Sequence, residues 1–336
     1  MSRPKSFTAR GPVDLIAAVP YVLGFHPTDS VVLLTFGAGE AFHARVDLPD
    51  DEDEQAAVVD MLATVAERHA VARVAVLVYT DDPWAAATFH DAAVPVFVRA
   101  GIEVIDVLRV GAERFHDAGD VDDPGTAYDL TTHVFTAEQV VAGTVVERSR
   151  DDLAATLDPD EAGTRAVAAS AARFDRSFEG MPALVSVDRI CRDLAEEGRW
   201  VQRTVRRHVR AGTAPSADDA GRLLVLMSGP LLRDVAWAEM CREDATGHLE
   251  LWRGLVRRCP PDLLPGPSCL LAFAAWLAGQ GALAWCALDR CAEADPGYSM
   301  AECVADLLVG AVPPTVWTPI PEGDLPVFWP PDQEAS

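Results

Sequence analysis

The stretch "RVAVLVYT", residues 73–80, restricts the possible folds more than any other part of the chain. After its leading arginine every residue is apolar or β-favouring, and nothing alternates. A strand of that kind is buried on both faces, which is the mark of a sheet covered by helices on each side. The next residues have the right form. "DDP" supplies a capping aspartate and a first-turn proline, a helix is predicted from about Pro83 to Ala100, and "EVIDVLRV" reads as the next strand. That is a β-α-β unit, and such crossovers join parallel strands.

The elements before it complete an α/β domain. "GPVDLIAAVPYVLGF" predicts a helix with Pro12 and Asp14 in its first turn, Gly24 at its end and Pro20 as a kink or stop. "SVVLLTF" and "FHARVDL" around "GAGE" read as a hairpin. "DDEDEQAAVVDMLATVAERHA" is a helix with acids first, bases last, and Val58, Val59, Leu62, Val65 and Ala66 on one face. The expected fold is a mixed sheet with flanking helices.

From about residue 149 the periodicity becomes helical and stays so, with Ser149 and Asp152 as a capping box. The chain of 336 residues therefore divides into an α/β domain at 1–148, an all-α helical domain of about seven helices at 149–312, and a proline-rich arm at 313–336. Trp317, Phe328 and Trp329 are the expected anchors of that arm. "SVDRICRDLAEEGRWVQRTVRRHVRAG" is the most informative helix, capped by Ser186 and closed by Gly212. Ile190, Leu194, Val201, Val205 and Val209 share one face; Arg192, Arg199, Arg203, Arg206 and Arg210 share the other and should point to solvent. "PSCLLAFAAWLAGQGALAWCALDRCAEADP" has Ala284, Leu288, Cys291 and Pro296 at the second-helix spacing of a tetratricopeptide repeat, with Leu271 and Ala272 at two first-helix positions. One such hairpin does not make a solenoid.

Charge and cysteine usage narrow the function classes. The net charge is −24, shared by 24 acids against 11 bases up to residue 150 and 28 against 17 after it. That field disfavours nucleic acid. The seven cysteines all follow residue 190 without a CxxC pair, so they read as buried thiols rather than a disulfide framework or a metal site. No apolar run reaches the length of a membrane helix and no signal core is found near the start, so the expectation is a cytoplasmic protein. No nucleotide-loop, zinc-protease, hydrolase-elbow or kinase signature is present, and no cofactor is implied.

Two kinds of site remain. Ligands of open α/β sheets bind beyond the carboxyl ends of parallel strands. Asp81, Asp82, Arg109 and His116 stand there, with His26, Asp29 and Ser30 of "LGFHPTDSVVLL" as further candidates for an enzyme acting on a small polar substrate. The competing account of these residues is capping and turn formation. The arginine row is the second site: it reads either as a solvated face whose late arginines suit the helix C-terminus or as a docking surface for an acidic protein partner, for phosphate groups, or for "DDEDE" of another copy. The leading expectation is a binding or regulatory protein, with the enzyme second and a structural scaffold third.

"DLIAAVPYVLGFHPTDSVVLL", "VVAGTVVERSRDDLAATLDP" and "LLAFAAWLAGQGALAWCALDRCAEADPGYSMAECVADLLVGAVPP" together resemble the actinobacterial domain of unknown function (DUF) 4192 family over nearly the whole chain. The resemblance implies no activity, so no residue inherits a catalytic role from it. The chain departs from that family's pattern at "GAERFHDAGDVDDPGTAYD", where Phe115, His116 and acids replace an aromatic pair and cysteines.

Overall fold

The computed structural model describes residues 9–37, 42–141, 145–176 and 187–329. It divides into two compact units, Met1–Leu153 and Ala154–Ser336. Ser186, most of the "GAGE" turn and the last residues of the arm lie outside the described residues.

In the first unit the chain order is α1 (Pro12–Leu23), β1 (Ser30–Phe36), β2 (His43–Asp47), α2 (Glu52–Arg68), β3 (Arg73–Tyr79), α3 (Pro83–Arg99), β4 (Glu103–Val110), β5 (Arg114–Asp117), β6 (Thr126–Ala127) and α4 (Val134–Val141). The six strands form one sheet in the order β2-β1-β3-β4-β5-β6. The β3–β4 pair is parallel, and the other four pairs are antiparallel. Strand β3 is therefore internal, as its composition requires. Val74, Val76 and Val78 meet α2 and α3 on one face, where Phe89 and Phe97 fill the layer. Ala75 and Leu77 meet Leu15, Ile16 and Val19 of α1 on the other. A fully buried valine, leucine or phenylalanine contributes about 1.5–3 kcal/mol, so the double-sided strand is the chief hydrophobic anchor of the unit.

Local chemistry sets the ends. Asp51 accepts from the amides of Asp53 and Glu54 at the start of α2, and Asp82 accepts from Trp84 at the start of α3. Gly24 takes φ 83°, a left-handed turn that glycine adopts without strain, and its N–H closes on the Pro20 carbonyl at 2.8 Å. Helix α1 runs past Pro20 to Leu23, with Pro20 buried in its last turn and the Pro20 carbonyl accepting from Gly24 N–H. Strands β5 and β6 are additions to the expected sheet. "RVGAERFH" does not end β4 in an open loop; Gly111 N–H bonds the Arg114 carbonyl at 2.9 Å and turns the chain back.

Helix α5 (Arg150–Ala155) begins on the Ser149 hydroxyl, which accepts from Asp152 N–H at 3.0 Å. The second unit then holds α6 (Glu161–Arg176), α7 (Val187–Ala211), α8 (Ala217–Met227), α9 (Pro230–Ala238), α10 (Ala245–Val256), α11 (Pro265–Leu277), α12 (Gly281–Ala294) and α13 (Ser299–Val309). Every residue of α11 from Gly266 to Leu277 is buried. A helix apolar all round belongs in a core, so α11 is the interior of this unit, and α12 covers it with Leu283, Ala284, Ala287, Leu288 and Cys291 while Trp285 and Asp289 face outward. Cys259, Cys269, Cys286 and Cys291 are buried within the unit, while Cys303 is exposed.

The arm comes after α13 as 3-10 turns at Pro314–Val316, Glu322–Asp324 and Pro326–Phe328. Trp317 stacks on Trp237 and donates to the Met240 carbonyl. Leu325 and Val327 are buried, whereas Trp329 is 40% exposed and its indole bonds to the Gly323 carbonyl of the arm itself. The arm is thus pinned by Trp317, Leu325, Val327 and Phe328 rather than by Trp329.

Candidate functional site

Ser30 and Tyr79 are partners across β1 and β3, so Asp29–Ser30 and Asp81–Asp82 stand at the same end of the sheet. Their side chains have separate tasks. The His26 side chain is exposed, and its backbone N–H bonds the Glu147 carbonyl. Asp29 is left-handed at φ 44° and its carbonyl accepts from Leu48 N–H, which bends the chain into β1. Ser30 is fully buried, and its hydroxyl has no partner among the described residues. Asp82 is the α3 cap, and Asp81 is exposed beside Gly111. Arg109 and His116 face each other across β4 and β5. His116 Nδ1–H donates to the Asp123 carbonyl at 2.9 Å. The Asp123 carboxylate, held below the usual carboxylate range by the amides of Gly125 and Asp117, lies in the field of both His116 and Arg109. The side-chain hydrogen bonds of Asp82 and His116 both run to backbone groups, which is the work of turns.

One polar pair at this sheet has no counterpart in the sequence pattern. His133 Nε2 lies 2.9 Å from Asp14 Oδ1, and the other oxygen of Asp14 accepts from Arg10 N–H at 2.6 Å. Those contacts, the Arg10 amide above all, hold the Asp14 carboxyl below its ordinary value. His133 Nδ1 and the Tyr79 hydroxyl are buried with no partner among the described residues. Asp14 is legible as a first-turn acid, but nothing in the sequence ties it to a residue 119 positions away.

Helix α7 presents the second site. Gly198, Val201, Gln202, Thr204, Val205 and His208 face inward. Arg192, Arg199, Arg203, Arg206 and Arg210 are all exposed. The row is not uniformly free. Arg206 forks onto Glu239, with its outer nitrogen 2.8 Å from Oε1, and that partner holds its proton more tightly. The Arg199 guanidinium lies 5.8 Å over the Phe328 ring. Arg203 and Arg210 have no ion-pair partner among the described residues. The apolar stripe is less complete than its spacing suggests. Val201 and Val205 are fully buried, but Ile190 is 46% exposed near the start of the helix.

From Arg199 to Arg210 the helix carries five arginines and no acid. At 1.5 Å per residue, Arg199, Arg203, Arg206 and Arg210 span about 16 Å, with steps of about 4.5–6 Å. Alternate side chains of an extended peptide recur at about 6.6 Å. An extended acidic segment laid along this row can therefore set carboxylates against Arg203 and Arg210, each of which offers a two-pronged donor set, while Arg206 is held by Glu239 and Arg199 by Phe328.

Among the described residues no three His, Cys, Asp or Glu side chains gather into a set that could hold a metal ion, and no helix is long and apolar enough to cross a membrane. The profile of one protein family, described as a domain of unknown function (DUF4192), matches residues 12–315. No curated protein and no solved structure matches the chain.

Proposed function

The chain belongs to the DUF4192 family, and from that premise and the geometry of α7 we propose that it is a binding protein whose helical unit docks an acidic protein segment on the arginine face. The observation that carries the reading is the exposure of Arg203 and Arg210 without acidic partners among the described residues, in a chain with 52 acids against 28 bases. With so many carboxylates available, two guanidinium groups about 10 Å apart on one helix face and left unpaired are a vacancy for acids from elsewhere.

The same charge balance favours a short protein segment over nucleic acid. Screening confines exposed charges to a reach of about 8 Å at physiological salt. A short acidic segment meets only the arginine row, whereas a long polyanion also meets the acidic remainder of the surface. The exposed run Asp50–Glu54 of a second copy is one segment of suitable chemistry.

The test is the anisotropy of a labelled short oligoglutamate titrated with the wild-type chain and with Arg203→Gln/Arg210→Gln. Neither residue pairs with an acid among the described residues and both are exposed, so the substitution should leave the fold intact, which the far-ultraviolet circular dichroism of the variant checks. Exposed ion pairs contribute about 0.2–1 kcal/mol each, so the double variant should bind roughly 2- to 30-fold more weakly and respond less to salt. Equal affinity and equal salt dependence for the two proteins would remove the reading.

A further inference from the structure

Alongside the arginine row, α7 and α9 already carry a segment, the C-terminal arm, which is folded in 3-10 turns and brings one acid to α7. Glu322 accepts from Gln202 Nε2 at 3.4 Å, and its charge acts on Arg206. Leu325 and Val327 are 3% and 5% exposed. The Phe328 ring lies under Arg199 and against Gly198, where an added Cβ would stand 3.0 Å from it.

The manner of attachment is that of a bound peptide. Backbone hydrogen bonds of residues 318–329 close turns within the arm: Asp324 to Pro321, Leu325 to Glu322, Phe328 to Leu325 and Trp329 to Pro326. Among the described residues none of them runs to the helices. A segment held through side chains alone, with exposed Thr318 and Pro319 as its connector, belongs to the low-stability end of a fold and can open by itself. Its prolines fix much of the backbone in advance, which lowers the ordering cost of docking.

We infer that the α7–α9 groove is a recognition site for a linear protein segment with an acid followed by aliphatic and aromatic residues, and that the C-terminal arm is its in-chain occupant. The inference rests on the reading of α7 as an acid-docking face and names the partner for it. Glu322, Leu325, Val327 and Phe328 define the pattern: one carboxylate for Gln202 in the field of Arg206, two aliphatic side chains for the groove, one ring for Gly198 and Arg199. A partner with this pattern competes with the arm. Because a tethered segment acts at an effective concentration in the millimolar range, an intact chain admits such a partner weakly.

The probe is a fluorescein-labelled peptide copying residues 321–329, titrated with the full-length chain and with a full-length Leu325→Asp variant, whose own arm cannot bury that position. The variant should bind the peptide at least about tenfold more tightly than the wild type, since the tethered competitor is gone. Arg199→Gln in the Leu325→Asp background should weaken binding, and added salt should weaken it further. Binding to neither protein, or to both alike, overturns the inference, as does binding indifferent to Arg199 and to salt. Should Leu325→Asp lose its helical circular dichroism, a chain with a protease site in place of residues 318–320 keeps every docking residue. After cleavage its arm fragment should leave on dilution and be replaced by the peptide. A fragment that stays bound and does not exchange overturns the inference. Oligoglutamate binding that depends on Arg203 and Arg210 while the arm peptide is ignored would overturn this inference alone and leave the proposed function standing.

Discussion

Replacing Trp317 by alanine asks how firmly the arm is tied down. The indole stacks on Trp237 at 5.3 Å between centroids and meets the edge of Phe273 at 4.8 Å, and its N–H reaches the Met240 carbonyl at 2.9 Å. Two aromatic pairs contribute about 0.5–1.5 kcal/mol each, and the hydrogen bond about 1 kcal/mol. Truncating a fully buried tryptophan costs about 3–5 kcal/mol. Trp317 is only partly buried, so the lower end applies and the expected loss is about 3 kcal/mol. Trp329 is the internal control. It is 40% exposed, its indole bonds within the arm, and its truncation should cost about 0.5 kcal/mol or less. The assay is thermal unfolding followed by far-ultraviolet circular dichroism, which reports chiefly on the helical unit. A loss of that size in a unit this large corresponds to about 6–12 °C for Trp317→Ala, against about 2 °C or less for Trp329→Ala. Equal shifts for the two variants, or the larger one at Trp329, would refute the assignment of Trp317 as the anchor.

Acid should loosen the helical unit before its carboxylates titrate. His248 is 1% exposed, and burial lowers its pKa below 6.5; burial and the adjacent Arg207 do the same to His208, whose Nε2 faces the Arg207 guanidinium at 3.2 Å. Both folded values lie below the unfolded one, so the unfolded chain takes up protons first. The stability is complete above about pH 6.5 and falls away as the pH drops through the folded values; urea midpoints of the helical unit that are identical at neutral pH and near pH 5.5 would contradict this. At the sheet end, Asp82→Ala should cost the α/β unit about 1 kcal/mol in urea unfolding, because Trp84 N–H loses its cap. Asp81→Ala should cost about 0.5 kcal/mol or less, and equal effects would show that capping is not what distinguishes the two carboxylates.

The contrast between the features the sequence disclosed and those it hid comes from the range of the interactions. Strand β3, helix α3 and strand β4 were legible because their signals are local: an unbroken apolar run, an Asp-Pro start, a second run. The outward direction of Arg192, Arg199, Arg203, Arg206 and Arg210 was legible for the same reason, since helical period alone sets which residues share a face. Strand β5 was not, because four residues reading Arg-Phe-His-Asp carry no alternation, and only pairing with β4 makes them a strand. The Asp14–His133 pair and the Gln202–Glu322 contact span 119 and 120 positions, beyond the reach of any periodicity. Gly198 brings the two kinds of information together. A glycine inside α7 costs the helix about 1 kcal/mol relative to alanine, a weakness without local purpose. It acquires one when the Phe328 ring is found against it, where a Cβ would intrude. The same position that weakens the helix opens the floor of the groove, so the sequence bears the mark of the arm in the helix that receives it.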